Sequence, residues 1–508
     1  LNPAILRTLS VLSCFGFKTE ISLLRLLQES SILLGGGFNL ESLVEEGILE
    51  ISGSVIVFTH DLVQKHVYEI LSKHQRQKLH CDIGTFLATK TNLDSSLAYK
   101  PIDDGMEQLY ICHGDDTEDD GSSNSVLSLA GIATSQINKA GLEFISDRTR
   151  RIRFAGWNMR SANESREKSN FHAALYYCKN GLSFLSDNLW HIETCQLSLE
   201  LHEAAASASI AVGNAEGVAQ YANAIIDGPL EFEKSLVAQN LLIRSLETQG
   251  LYTECIARGL AVLRQLNFDI PTAPTPEVVL QAMAQTTNIA SQYNFDHISD
   301  RPEVIHQKQR NALRIIDSVA VACYLSTSPY LPLVACSTVI YSLQHGIFHC
   351  EESVSSFVIF GYFKVYLKQN LDEGHKWGKL AHRMLETSRG YASVRARMYL
   401  YGFLLFWFIP IKESCLRLYE TYAIGMRCGD VGSAMYSLFF AWVCQFYGGE
   451  KLSIVKANYK EYMKSIAKYS EDVSKKLVLR KVNLNELMGI SDDNPYSVLE
   501  GAFWDIDG

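Results

Sequence analysis

The sequence predicts a mainly all-α protein: a small helix-and-hairpin domain first, then a long, irregular array of helix pairs. Three observations carry that expectation. Apolar residues recur at helical spacing through most of the chain after residue 60. Only around 48–58 do two β-rich runs flank a glycine turn. Small residues meet aromatics in one helical segment after another, as closely packed helix pairs require. Of the 508 residues 47% are hydrophobic and 20% charged, so the chain can bury several cores.

Residues 1–60 come first. Ile5, Leu6, Leu9 and Leu12 outline a helix that stops before Gly16, and residues 20–27 outline a second. Residues 39–46 make a third, with Asn39 suited to the N-cap and Gly47 to the C-terminal stop. Residues 48–52 and 55–58 then flank Gly53-Ser54, a hairpin turn with glycine at its first position. Three helices and a hairpin make a winged helix. Its acidic residues outnumber the basic ones six to three, and the third helix carries Glu41, Glu45 and Glu46 where a DNA reader would place Arg or Asn. With a net charge of −10 over the chain, nucleic acid is not an expected partner.

The strand at 55–58 runs straight into a helix through Thr59-His60-Asp61. Asp61 offers a side-chain oxygen as helix cap, and Leu62, Val63, His66, Val67, Ile70 and Leu71 form one apolar face. A further helix passes through Arg76, Leu79, Ile83 and Leu87, so 61–114 reads as linking helices. Residues 115–150 combine an acidic Gly/Ser run, Asp115 to Ser125, with one helix. The run lacks the spacing of an EF-hand loop and reads as a solvated, flexible loop.

Residues 151–270 read as tetratricopeptide-like helical repeats, with Ala155, Gly156 and Trp157 on one helix and Phe171, Ala174 and Tyr177 on its partner. Similar units recur at 217–222 and 252–260. Pro271, Pro274 and Pro276 interrupt the helices, so 271–508 forms a second helical-repeat half, with further units at 374–381 and 416–422. Residues 318–350 and 433–449 contain no Lys, Arg, Asp or Glu. Membrane spans are the rival reading of such stretches. Pro329, Pro332 and many Ser and Thr interrupt the first, and the apolar run 398–411 falls short of the about 20 residues a bilayer needs. Buried core helices are expected instead, and no membrane partner.

The residues Phe58, His60, Asp61, Val63, Gln64 and Tyr68 resemble the Phe-x-His-Asp-x-Val-Gln stretch of signalling ATPases of the STAND class (signal-transduction ATPases with numerous domains). In that class a winged helix passes into tetratricopeptide-like repeats. Leu62 stands where such proteins usually have a basic residue, and His66 and Val67 where they have small ones. The likeness resumes at 155–162, 170–182 and 259–271, and covers 1–90 and, more loosely, 150–490. It implies a multidomain parent, often fused to a protein kinase or histidine kinase, with its nucleotide-binding core upstream. The chain opens on Leu1 and reads as a fragment of such a polypeptide. ATP or ADP is then implied for the parent and no cofactor for this chain alone. The implied partners are the intramolecular nucleotide core for the winged helix and a protein partner for the solenoid, in the cytoplasm. The placement of His60 resembles the Met-His-Asp motif of the class, whose histidine reaches the bound ADP phosphates; Thr59 stands here where that motif has Met. The alternative is that His60 satisfies a backbone carbonyl at the turn.

Other chemistry is absent from the pattern. There is no G-x-x-x-x-G-K-[ST] phosphate loop: Gly35-Gly36-Gly37 lacks the lysine, and Gly448-Gly449-Glu450-Lys451 lacks the spacing. No nucleophile elbow or kinase signature stands out, so no catalytic residue and no enzyme activity are assigned. The 12 cysteines are scattered singly without a CxxC pair, which suits reduced thiols in a cytosolic protein. His345 and His349 lie four apart beside Cys350, yet lack the Glu of a zincin, so structural roles rather than a metal site are expected. A regulatory region of a signalling ATPase is the reading these residues favour; the alternatives are a stand-alone helical-repeat scaffold and a membrane-associated helical protein.

Overall fold

The computed structural model describes residues 3–30, 40–91, 93, 110–112, 125–186, 189–266, 268, 270–294, 306–348, 350–367, 370–387 and 394–469. The chain divides into two compact units, Leu1–Ser165 with His172–Ala204, and Arg166–Phe171 with Ala205–Gly508.

The first unit begins with α1 (Pro3–Ser13), β1 (Lys18–Glu20), α2 (Ile21–Gln28), α3 (Leu40–Glu45), β2 (Leu49–Ser52) and β3 (Val55–Phe58). The strands form an antiparallel sheet of order β1-β3-β2, with Lys18 opposite Val57 and Ile51 opposite Ile56. Gly53, at φ +64°, closes the β2–β3 turn in the left-handed region that glycine enters without strain. β3 alternates as a half-buried strand should: Ile56 and Phe58 are buried, while Val55 and Val57 are half-buried. Leu9, Leu12, Leu23, Leu24, Leu27 and Leu43 are buried in the same module. The strand β1 goes beyond the sequence expectation. Three residues cannot show an alternating pattern, and Lys18-Thr19-Glu20 is a strand because β3 offers it a partner.

Next come α4 (Asp61–Ile70) and α5 (Lys73–Ala88), the latter opened by a capping box between Ser72 and Gln75. A two-stranded antiparallel pair, β4 (Tyr110–Cys112) and β5 (Ser125–Leu127), follows, so the hairpin at 48–58 is not alone in forming sheet. The acidic run lies outside the described residues except for Ser125. The helices α6 (Leu129–Ala140), α7 (Arg148–Glu167) and α8 (Phe171–Leu185) continue the chain, and α9 (Cys195–Ala211) crosses from the first unit into the second.

The second unit is a succession of packed helices: α10 (Ala215–Ile226), α11 (Phe232–Thr248), α12 (Tyr252–Gln265), α13 (Pro276–Ala290), α14 (Gln307–Leu325), α15 (Leu331–His345), α16 (Glu351–Tyr366) and α17 (Leu371–Thr387). Then α18 (Val394–Tyr399) passes into a π turn (Leu400–Leu404) and a 3-10 turn (Leu405–Trp407), followed by α19 (Ile411–Cys428), α20 (Val431–Tyr447) and α21 (Leu452–Tyr469). Neighbours in sequence pack on one another, as α15 on α16, α16 on α17 and α19 on α20 do. The proline break falls between α12 and α13, where Thr275 caps α13 and Pro276 opens it. The uncharged stretches enter the cores: Val319, Val334 and Val339 are fully buried, as are Phe357, Trp377 and Leu404 beside them. No helix among the described residues is long and apolar enough to cross a membrane. The fold class is mainly all-α, a helical-repeat array.

Candidate functional site

The strand-to-helix corner is built on Phe58, which is buried, and on Thr59, whose backbone N–H and hydroxyl both donate to the Ile48 carbonyl at 3.1 Å. Pairing of β3 thereby extends one residue past the strand, and the helix starts one residue earlier than its capping sequence suggested. His60 is the N-cap, with φ −139° and ψ 139°, and its carbonyl accepts from Val63 N–H at 3.1 Å. Asp61 is therefore not the cap. It is the first helical residue, and its Oδ1 accepts from Leu62 N–H at 2.8 Å. Its charge still favours the helix start through the dipole. The His60 side chain is exposed and makes no capping bond, and no hydrogen bond joins it to a turn carbonyl among the described residues.

Other residues of the same motif are used inward. Gln64 Nε2 donates to the Ser13 carbonyl at 2.9 Å, tying α4 to the end of α1. Tyr68 Oη lies 2.8 Å from His80 Nε2, and His80 Nδ1 lies 2.6 Å from Gln136 Oε1. Gln136 Nε2 donates to the Cys14 carbonyl at 3.2 Å. That last bond fixes the amide: Oε1 must accept, so His80 donates to it through Nδ1. A buried histidine thus links α4, α5, α6 and the end of α1. Phe58, Gln64 and Tyr68 serve the fold, whereas His60 and Asp61 face water beside Leu62, itself 71% exposed. An imidazole at a helix N-terminus can donate to an anion's oxygen.

The second unit holds a buried charge network that the sequence reading missed. Arg395 on α18 donates to Asp317 Oδ2 on α14 at 2.8 Å and to Glu247 Oε1 on α11 at 3.2 Å. Arg244, also on α11, donates to Asp430 Oδ1 at 2.6 Å, and Asp430 caps α20. Burial pushes the Asp317 carboxyl up to about 6 against the pull of Arg395, and pushes Glu247 up as well. Burial also raises Asp430, but Arg244 and Arg395 outweigh it and hold that carboxyl below its usual range. The available signal was a lone charge on an apolar face, as with Asp317 following Ile315 and Ile316. Beside the network lies a small apolar recess of about 30 Å³, lined by Tyr324, Tyr362, Tyr399 and Phe403 with Leu331 and Val358.

His345 stacks on Tyr341 with ring centroids 4.2 Å apart, Cys350 precedes α16 as its N-cap, and His349 lies outside the described residues. No group of three metal-ligating side chains gathers among the described residues. Gly35-Gly36-Gly37 also lies outside them.

No family model matches the chain, and neither does any curated protein. Among solved structures, it is similar to a signal transduction ATPase with numerous domains carrying a tetratricopeptide repeat sensor, from Pyrococcus horikoshii. That match has 14% identity and a TM-score of 0.25, over 96% of this chain and 65% of the archaeal one. A likeness at that level establishes nothing about function.

Proposed function

We propose that this chain is a non-catalytic regulatory and protein-interaction region of a multidomain signal-transduction ATPase. In this reading the helix-and-hairpin module is a winged helix that docks on a nucleotide-binding core elsewhere in the parent protein. The helical array binds a partner protein or signal, and the assembly works in the cytoplasm. One observation supports it most: within a single short motif, Phe58, Gln64 and Tyr68 are committed to the fold while His60 is held outward with its imidazole exposed. Fixing the corner from behind is what a phosphate contact needs, because the imidazole then meets its acceptor without ordering a loop first. ATP or ADP is the nucleotide proposed for the parent, and nothing in this chain is proposed to hydrolyse it.

The test uses the full-length parent protein. A charge-assisted hydrogen bond contributes about 1.5–3 kcal/mol, so His60→Ala should weaken ADP retention about tenfold or more. The far-ultraviolet circular dichroism and melting temperature should stay unchanged, because the side chain is exposed and makes no capping bond. Unchanged ADP affinity in a folded His60→Ala protein would overturn the nucleotide-sensing role and leave a helical scaffold.

A further inference from the structure

We propose that the buried charge network of the second unit holds one proton on Glu247 at neutral pH. The joint it makes between α11, α14 and α18 is then pH-sensitive, tighter at neutral pH than in mild alkali. The inference concerns this unit alone and does not rest on the nucleotide reading.

The charge count comes first. Arg244 and Arg395 face three carboxyl groups, those of Glu247, Asp317 and Asp430. Glu352 also faces Asp317, but it has its own cation in Arg314 at 3.1 Å. Two guanidiniums and three carboxylates leave one negative charge over. The side chains of Glu247, Asp317 and Arg395 are only 9%, 8% and 9% exposed, so water does little to offset that charge. A buried carboxyl in this position becomes neutral by taking a proton.

The distances say which group takes it. Asp317 accepts from Arg395 Nη1 at 2.8 Å. Asp430 accepts from Arg244 Nη2 at 2.6 Å and from the Ser433 backbone N–H at 3.4 Å. Glu247 is left with the longest guanidinium contact, 3.2 Å from Arg395 Nη2 to its Oε1. Its Oε2 is buried with no hydrogen-bond partner among the described residues. An ionised oxygen there keeps its charge with no donor, whereas a protonated one is a neutral hydroxyl that costs far less to bury. The other groups facing Glu247 supply no cation. They are the Tyr399 hydroxyl on α18 and the Cys255 thiol on α12, and the Ser318 hydroxyl on α14 stands near without bonding Oε2. Burial accordingly pushes the Glu247 carboxyl up, against the pull of Arg395 and Arg244.

A carboxyl raised in this way holds its proton more tightly in the folded chain than in the unfolded one. Its contribution is present at low pH and is lost as pH rises through the folded-state value. Once the proton has gone, Arg395 must serve two full carboxylates. α11 and α14 pack directly on one another, and Arg395 joins α18 to both, so these three helices feel the loss.

The test uses the whole 508-residue chain. At about pH 7.5 an ordinary carboxyl is ionised, so the infrared carbonyl stretch of a protonated carboxyl should mark Glu247 in the wild type and be diminished in Glu247→Gln. That variant makes the uncharged form permanent. In urea unfolding above about pH 6, the ratio of the wild-type unfolding constant to that of Glu247→Gln should climb about tenfold per pH unit, the slope of one proton, until the folded protein itself releases it. Amide hydrogen exchange in α14 and α18 should show the same climbing ratio. Absence of the protonated-carboxyl band in the wild type overturns the proposal whether or not the variant folds. So does a band undiminished in Glu247→Gln, or an unfolding ratio that stays flat with pH. An exchange ratio in α14 and α18 that stays flat overturns the loosening of the joint.

Discussion

At the scale of single residues, Arg395 is the side chain on which most depends. It pairs with Asp317 and Glu247 deep in the second unit. Arg395→Met would leave both carboxyl groups buried without their cation, a loss of about 3–5 kcal/mol that thermal or urea unfolding would register. The pH dependence has a definite sign. The folded-state pKa of Asp317, about 6, lies above its ordinary value of 3.8, so the folded protein holds this proton more tightly than the unfolded chain. The contribution of Asp317 is fully present below about pH 4 and is lost as pH rises through about 6. Asp430, held below its usual range, acts the opposite way, and its contribution is lost as pH falls through its folded-state value. Asp317→Asn should therefore flatten the melting-temperature slope between about pH 4 and 6, and an unchanged slope would show that Asp317 does not titrate there. Asp61 shows a correction at this scale. As first helical residue rather than cap, it contributes through the helix dipole, about 0.3–1 kcal/mol.

At the scale of elements, the contact between α5 and α6 is one that a single atom would disturb. A Cβ on Gly84 would stand 2.8 Å from the Ala133 carbonyl oxygen and from Ile137 Cγ1, and backbone cannot step aside as a side-chain tip can. Gly84→Ala should cost about 1–3 kcal/mol, although alanine is the better helix former by about 1 kcal/mol. A neutral or stabilising result in chemical denaturation would show that the two helices separate freely. His80 lies on the same α5 and bridges to Gln136 on α6, so spreading these helices would also strain the chain of bonds behind the His60 corner.

At the scale of the whole molecule, the purified chain should not hydrolyse ATP above background. Its sequence has no phosphate loop with the required glycine–lysine spacing. Turnover that survives purification and is lost on changing one residue of this chain would refute that. The same sequence logic makes the long uncharged stretches core helices, and Val319, Val334 and Val339 at zero exposure are what such a core looks like from inside.

Periodicity and punctuation determined the element list. The helix spacing after residue 60, the glycine turn at Gly53-Ser54 and the break at Pro271 to Pro276 are local properties of the chain, and each is where the sequence puts it. The Phe58–Tyr68 motif was legible too, but not the division of labour within it. Gln64 reaches Ser13 and Tyr68 reaches His80, partners 51 and 12 residues away, and only packing brings them together. The start of α4 came one residue earlier than the cap at Asp61 implied, and Thr59, bound to Ile48, leaves His60 as the single residue between strand pairing and helix. Strand β1 exists only because β3 lies beside it. The Arg395 network is further out of reach of sequence reading. Asp317 and Arg395 are 78 residues apart, and nothing local in either helix marks them as partners. Tertiary structure decides whether such charges meet, because the cost of burying one is removed only by a partner that the fold delivers from elsewhere in the chain.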